Sequence, residues 1–254
     1  GSPDYWTNVL SPHQAERAIA YTSALLSRAA YNHHVPAACR IAYDEWNVWY
    51  RTDDGSLEER YSFDDALAVA TYLNIFTRHC DWVAMANLAQ MVNAIAPVVT
   101  NATSAETQPT YHPFLLHSQA SLDEAVDVTV LAPTVEAPQP PPGDRWGHLI
   151  SDLGPFPVLD AAATCDLQRR RVAVTIVNRS PEKAVSCRLG LRDASFNGRT
   201  RIRVLTAGAE AAGPLRLAQT QIEEGTEEQR GGRFVLALPP RSFSVVEAPM
   251  QAES

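Results

Sequence analysis

The stretch Ile41-Ala42-Tyr43-Asp44-Glu45-Trp46-Asn47-Val48-Trp49-Tyr50 begins as a short apolar run and ends in two adjacent carboxylates, an asparagine and a dense aromatic cluster. Such a change of character is expected where a buried strand delivers polar groups to the loop at its end. With residues 41–45 extended, side chains alternate between faces. Ile41, Tyr43 and Glu45 then share one face, and Ala42 and Asp44 the other. The adjacent acids are therefore not a catalytic pair: one points into a site, the other away, toward surrounding helices. The aromatic residues that follow offer flat apolar surface to a sugar or another planar ligand. The competing reading makes Asp44 and Glu45 the start of a turn and the aromatics core.

Upstream, residues 1–10 read as an irregular loop. Ser11-Pro12-His13-Gln14 has the wording of a helix start, with Ser11 as N-cap, Pro12 in the first turn and Gln14 closing a capping box. The helix is expected to reach about Ala30, with Ile19, Tyr21, Thr22, Leu25 and Leu26 as its apolar stripe. His33 and His34 fall in the loop that ends it, with no third metal ligand nearby in sequence. Downstream, 46–61 reads as a loop and a helix runs from Ser62 or Asp64 to about Arg78, turning Ala66, Val69, Ala70, Leu73 and Phe76 inward. A further helix is expected over 81–93, with Val83, Leu88 and Val92 apolar and Met85 and Met91 filling gaps. Ile95 to Thr100 reads as a strand buried on both faces. The order α-β-α-α-β is that of a parallel α/β barrel or open sheet.

From about residue 119 the pattern changes. Strands are expected over 126–131, 156–163, 171–178, 184–192, 201–205, 233–238 and 242–247, separated by turn-rich segments as in an all-β sandwich. Val172, Val174 and Ile176 alternate with Ala173, Thr175 and Val177. The proline-rich Glu136 to Gly143 reads as an extended surface loop, and 222–232, rich in Glu, Gly and Arg, as a solvated or mobile one.

The chain has 254 residues and a formal net charge of −8, with a pI near 5.4. That length accommodates one large domain or two modest ones. The acidity argues against a nucleic-acid partner, which would show as a basic patch. No window approaches the roughly 18 consecutive apolar residues of a membrane span, and no signal peptide is visible. Cys39, Cys80, Cys165 and Cys187 form no C-x-x-C pair and no zinc spacing with His. They read as scattered buried thiols of a cytoplasmic enzyme, with Cys165 and Cys187 on strands that could face each other. No metal site is expected.

Asp44 to Tyr50, Asp-Glu-Trp-Asn-Val-Trp-Tyr, resembles the nucleophile segment of the α-L-arabinofuranosidases of glycoside hydrolase family 51 at all seven residues. A second match is Met85-Ala86-Asn87-Leu88-Ala89-Gln90-Met91-Val92-Asn93, ending in Ile95-Ala96-Pro97. A third, looser one is Gln108-Pro109-Thr110-Tyr111-His112-Pro113-Phe114. The three stand in the family's order, and the close resemblance covers about residues 3–118. It implies an α/β part plus an all-β part. Residues 1–118 would be a partial (β/α)8 TIM barrel carrying strands 7 and 8. Residues 119–254 would be a jelly-roll-like β-sandwich, to which a segment preceding the barrel also contributes.

The resemblance further implies a retaining mechanism without cofactor, acting on terminal arabinofuranosyl groups of arabinan, arabinoxylan or arabino-oligosaccharides, in an enzyme that is a homo-oligomer. Glu45 would be the nucleophile at the C-terminal end of the seventh strand, the end where barrel active sites lie. Tyr43 or Asn47 would supply a hydrogen bond that favours its ionised form. Trp49 would form an aromatic wall against the sugar and Gln108 would bond a sugar hydroxyl. Asn87 and Asn93 read as structural, and Trp46 as a packing residue.

One departure matters. The family's acid/base glutamate lies in an Asn-Glu motif on the fourth strand, and no Asn-Glu dipeptide occurs in this chain. A full barrel takes about 250 residues, whereas only residues 1–118 precede the sandwich. The chain therefore reads as the C-terminal half of such an enzyme, with no acid/base of its own and no expected activity alone. Two other readings remain: a non-catalytic sugar-binding module in residues 119–254, and another retaining barrel glycosidase such as an endoglucanase.

Overall fold

The computed structural model describes residues 4–36, 39–49, 55, 57, 60–140, 150–207, 220–231 and 233–252. The expectations for Tyr50, Glu58, Glu59 and 141–143 fall outside the described residues. The chain opens on α1 (Tyr5–Leu10), where the sequence suggested a loop; Asp4 caps it by accepting from Thr7 N at 2.7 Å. Ser11 is consumed by this turn, its hydroxyl donating to Asn8 O. The expected capping box of the next helix therefore does not form, and α2 (His13–His33) starts at Pro12 without a side-chain cap. His33 ends α2 rather than lying in a loop, and His34 caps it in the left-handed region. Of the predicted apolar stripe Ile19 is buried, whereas Tyr21 and Leu25 are 66% and 70% exposed.

After α2 come β1 (Ile41–Trp46), α3 (Phe63–Arg78) and β2 (Val83–Leu88), with β1 and β2 paired in parallel. The capping box of α3 forms as its sequence requires: Ser62 Oγ accepts from Asp65 N, and the Asp65 carboxylate accepts from Ser62 N. Asp64 and Asp65 at its start and Arg78 at its end complement the helix dipole. The helix expected over 81–93 is instead β2. A turn with Trp82 N and Val83 N both bonded to His79 O leads straight out of α3, and pairing with β1 outweighs the helical preference of Ala, Met and Leu. Met85, Met91 and Val92 fill no gaps; they are 50%, 65% and 42% exposed. The buried strand expected over 95–100 shrinks to β3 (Val98–Thr100), half-buried and paired antiparallel with β4 (Ala105–Thr107). Ile95 has φ +47°, which no extended strand admits. Helix α4 (Tyr111–Ala120) follows.

The remaining strands are β5 (Glu124–Val126), β6 (Thr134–Val135), β7 (Phe156–Pro157), β8 (Leu159–Asp166), β9 (Arg171–Asn178), β10 (Val185–Gly190), β11 (Ala194–Ala207), β12 (Thr220–Gly231), β13 (Arg233–Leu238) and β14 (Ser242–Ala252). One antiparallel sheet has the order β12-β11-β14-β9-β8-β5, and β10 pairs with β13 separately. The loop expected over 222–232 is, up to Gly231, the edge strand β12, paired with β11 from Phe196↔Gly231 to Ala207↔Thr220. Its polar residues suggested a loop, but pairing with β11 makes it a strand, and charge on such an edge discourages pairing with another chain. Arg201 forks onto Glu224 with two 2.9 Å bonds across this pair.

The six-stranded sheet is the middle of three layers. Ala173, Val177, Leu205, Phe243 and Val245 pack with Leu10, Phe63, Leu67 and Leu116 of the helices. Val172, Val174, Ile176 and Val246 pack with Phe234, Leu236 and Leu238 on the other side. The alternation seen in the sequence of β9 is this division. Residue 118 lies inside α4, so the expected domain boundary divides a helix whose Leu116 belongs to a core shared by both parts.

A buried polar cluster pins the joint. Asp160 of β8 accepts from Asn74 Nδ2 at 2.8 Å and from Arg78 at 3.2 Å. Arg179, 1% exposed, stands 3.8 Å from Asp160 and bonds His13, which bonds Glu16 at 2.8 Å; Glu16 also meets Arg78 at 3.1 Å and His79 at 3.3 Å. All four cysteines are free: Cys165 is buried, but Cys39 and Cys80 are exposed, against expectation.

Candidate active site at the strand ends

The residues singled out in the sequence gather where β1 and β2 end. Ile41 and Tyr43 pack toward the helices, Tyr43 with its ring centroid 5.2 Å from that of Phe76. Burial raises the Tyr43 phenol above its ordinary pKa. Ala42, Asp44 and Glu45 are exposed, and Trp46 is buried again on the helix side. Strict alternation would put Trp46 opposite Tyr43. The ladder shifts register between these two residues, so the chain slips at Asp44-Glu45.

This corrects two expectations. Glu45 does not share the helix-facing side with Tyr43, so Tyr43 is not a donor placed beside it. Asp44 does not face the helices; it is exposed, with Asn87 Nδ2 of the neighbouring strand 3.5 Å from its Oδ1.

Trp46 is a packing residue: its ring centroid lies 5.1 Å from Tyr72 and Phe76 and 5.4 Å from Phe114. Trp49 is half-buried against the cluster of Val48, Tyr61, Ala68 and Ile95. Asn47 is 8% exposed, and both ends of its amide are engaged: Nδ2 donates to Ile95 O and Oδ1 accepts from Val48 N at 2.8 Å. It braces the main chain rather than reaching Glu45.

Gln108 is fully buried. Its Oε1 accepts from Tyr61 N at 2.9 Å and its Nε2 donates to Ala96 O at 2.7 Å. The sugar contact expected of Gln108 is corrected on the same ground, since no part of it is exposed. Asn93 bonds the backbone near the strand end as expected, accepting from Thr100 N at 2.8 Å, though from a turn with φ +67° rather than a helix.

Sequence reasoning missed Tyr61. Its hydroxyl donates to Val48 O and it is 4% exposed. The available signal was its place immediately before the N-cap of α3, where an apolar residue fixes the entry of the chain. No cluster of three His, Cys, Asp or Glu with metal-binding geometry occurs among the described residues.

The site thus presents two adjacent exposed carboxylates, Asp44 and Glu45, near the C-terminal end of a parallel strand, with Trp49 half-buried a few residues further along the chain. Residues 44–242 match the model of the α-L-arabinofuranosidase C-terminal domain. A probable α-L-arabinofuranosidase C of Aspergillus clavatus is 31% identical over 96% of this chain and 47% of its own length. The α-L-arabinofuranosidase of Thermotoga maritima, solved as an arabinose complex, superposes with a TM-score of 0.76 at 26% identity, over 98% of this chain and 51% of that one. The GH51 α-L-arabinofuranosidase of Thermotoga petrophila gives 0.74 at 26%, over 97% and 50%. The chain spans about half the length of these relatives. With seven matched residues around an exposed strand-end glutamate and a matching C-terminal domain, the chain belongs to the glycoside hydrolase family 51 α-L-arabinofuranosidases, of which it represents the C-terminal part.

Proposed function

We propose that this chain is the C-terminal half of a retaining α-L-arabinofuranosidase that removes terminal arabinofuranosyl groups from arabinan, arabinoxylan or arabino-oligosaccharides. In this reading β1 and β2 are the last two strands of a (β/α)8 barrel. Glu45 attacks the anomeric carbon as the glycosidic C–O bond breaks, and the upstream half supplies the acid that protonates the leaving oxygen. The same group then deprotonates the water that releases arabinose. The single observation that carries the reading is the exposure of Glu45 near the C-terminal end of a parallel strand, where barrel chemistry is sited. Trp49, four residues along the chain from Glu45, is the proposed wall against the sugar. The enzyme is proposed to be a cytoplasmic homo-oligomer without cofactor, and its upstream half to complete the sandwich as well. Support for the last point comes from two adjoining clefts, of about 630 and 1140 Å³, between residues 126–133 and β10; Val128, Val174 and Leu189 line both.

The test is Glu45→Gln in the complete polypeptide. Turnover of an aryl α-L-arabinofuranoside should fall by several orders of magnitude with the melting temperature unchanged. Near-normal turnover removes Glu45 from the mechanism.

A further inference from the structure

Val48 stands between the proposed nucleophile Glu45 and the proposed sugar wall Trp49. It is 2% exposed and belongs to no helix or strand. Buried main-chain groups outside regular structure need partners, and both of its peptide groups take theirs from side chains. Val48 N donates to Asn47 Oδ1, and Val48 O accepts from the Tyr61 hydroxyl. Tyr61 is itself held, its N–H donating to Gln108 Oε1. Gln108 ties back to the segment after β2 through Nε2 to Ala96 O and N to Pro97 O, and Asn47 Nδ2 reaches Ile95 O in the same segment. The bonds form a closed circuit through three loops, with Val48 at its front.

Every member is nearly or fully buried, so no bond in the circuit is shared with bulk water. A hydroxyl bond of this kind, once removed, leaves the carbonyl desolvated and unpaired, and the chain moves to satisfy it. Asn47 and Gln108 each bond on two sides, and the Tyr61 hydroxyl donates to Val48 O.

We propose that Tyr61 is a positioning residue for the reaction, fixing the Glu45-to-Trp49 segment through the Val48 carbonyl, with Asn47 and Gln108 closing the brace. The proposal rests on the reading of Glu45 as nucleophile. It explains why Gln108, expected at the sugar, and Asn47, expected beside Glu45, are both turned into the protein. A misplacement of about 1 Å at a reacting group costs on the order of 100-fold in rate, so a brace one residue from the wall and three from the carboxylate acts on the chemistry without touching the sugar.

The experiment compares the complete polypeptide with its Tyr61→Phe variant on two aryl arabinofuranosides, one with a nitrophenyl and one with a dinitrophenyl leaving group. Both are assayed well below the melting temperature of the variant. The ring still packs, so the variant should fold. Its kcat should fall by about ten- to a hundredfold, and equally for both substrates, since a better leaving group replaces an acid but not a misplaced nucleophile. A kcat within twofold of the parent, with only the melting temperature lowered, overturns the proposal and makes the bond a structural one. Restoration of the rate by the dinitrophenyl group also overturns it, because the defect would then lie in proton donation. Failure of the parent itself to turn over either substrate sinks the arabinofuranosidase reading and this inference with it. An active parent with an unimpaired variant removes the inference alone.

Discussion

Arg179 Nη1 lies 2.8 Å from Nε2 of His13. A guanidinium only donates, so that ring nitrogen accepts, and Nδ1 carries the hydrogen toward Glu16 at 2.8 Å. One tautomer of His13 thus joins a cation rooted in the sandwich to an anion on α2. Arg179→Met should cost about 1–3 kcal/mol, the scale for removing a buried hydrogen-bonding partner, since Asp160 keeps Arg78 and Asn74. Urea unfolding of the complete enzyme measures this, and a loss below about 1 kcal/mol would match only an exposed pair.

Acid should weaken the fold in two stages. Burial lowers the pKa of His117 to about 4, so the unfolded chain takes up a proton there first. Stability falls as pH drops from the ordinary histidine value of about 6.5 toward 4. Burial alone would raise Glu16, but hydrogen bonds from His13 and His79 and the charge of Arg78 hold it far below the carboxylate range. Asp160 is likewise held down by Arg78 and Arg179 against its burial. Their contributions are complete above the unfolded carboxylate range, begin to be lost as pH falls into it and go on falling toward the much lower folded values. Melting temperature followed from pH 7 to pH 3 should therefore decline in both intervals. His117→Gln should flatten the upper one and Glu16→Gln the lower.

Trp49→Ala in the complete enzyme should reduce kcat/KM for aryl arabinofuranosides by about tenfold, the scale of one lost aromatic contact, chiefly through KM. Because Trp49 also packs on Val48 and Tyr61, the melting temperature should drop as well. An unchanged kcat/KM would make Trp49 a packing residue like Trp46.

Residues 1–254 expressed alone should not hydrolyse arabinofuranosides. Double displacement needs a proton donor as well as a nucleophile. Asp64 sits 3.4 Å from Arg241 and Asp65 is bound to the cap of α3 and to Asn8. Assay of the soluble chain decides the matter: turnover abolished by Glu45→Gln would mean that an acid on this chain has been overlooked.

The sequence was most legible where local chemistry and pattern agreed. The span of α3, the alternation of β9 and the limits of β13 could all be read directly. It misled where a neighbour decides. Val83–Leu88 has helix-forming residues, and only the presence of β1 makes it a strand. Glu45 could be singled out by motif, but its face could not be read, because the slip between Tyr43 and Trp46 depends on pairing across the ladder. Gln108 and Asn47 carry amides that suit a sugar equally well. Their direction is set by the buried carbonyls of Ala96 and Ile95, which no reading of spacing reveals.

The six-stranded sheet, with helices on one face and β10–β13 on the other, is a party wall rather than the boundary of a detachable module. Cutting at residue 118 would strip Phe243, Val245 and Val177 of their cover and leave Arg179 and Asp160 facing water in place of His13 and Asn74. Exchange of sandwiches among relatives should thus succeed only when α1, the start of α2, α3 and α4 travel with the strands. The unit that packs as one piece is the wall together with both of its faces.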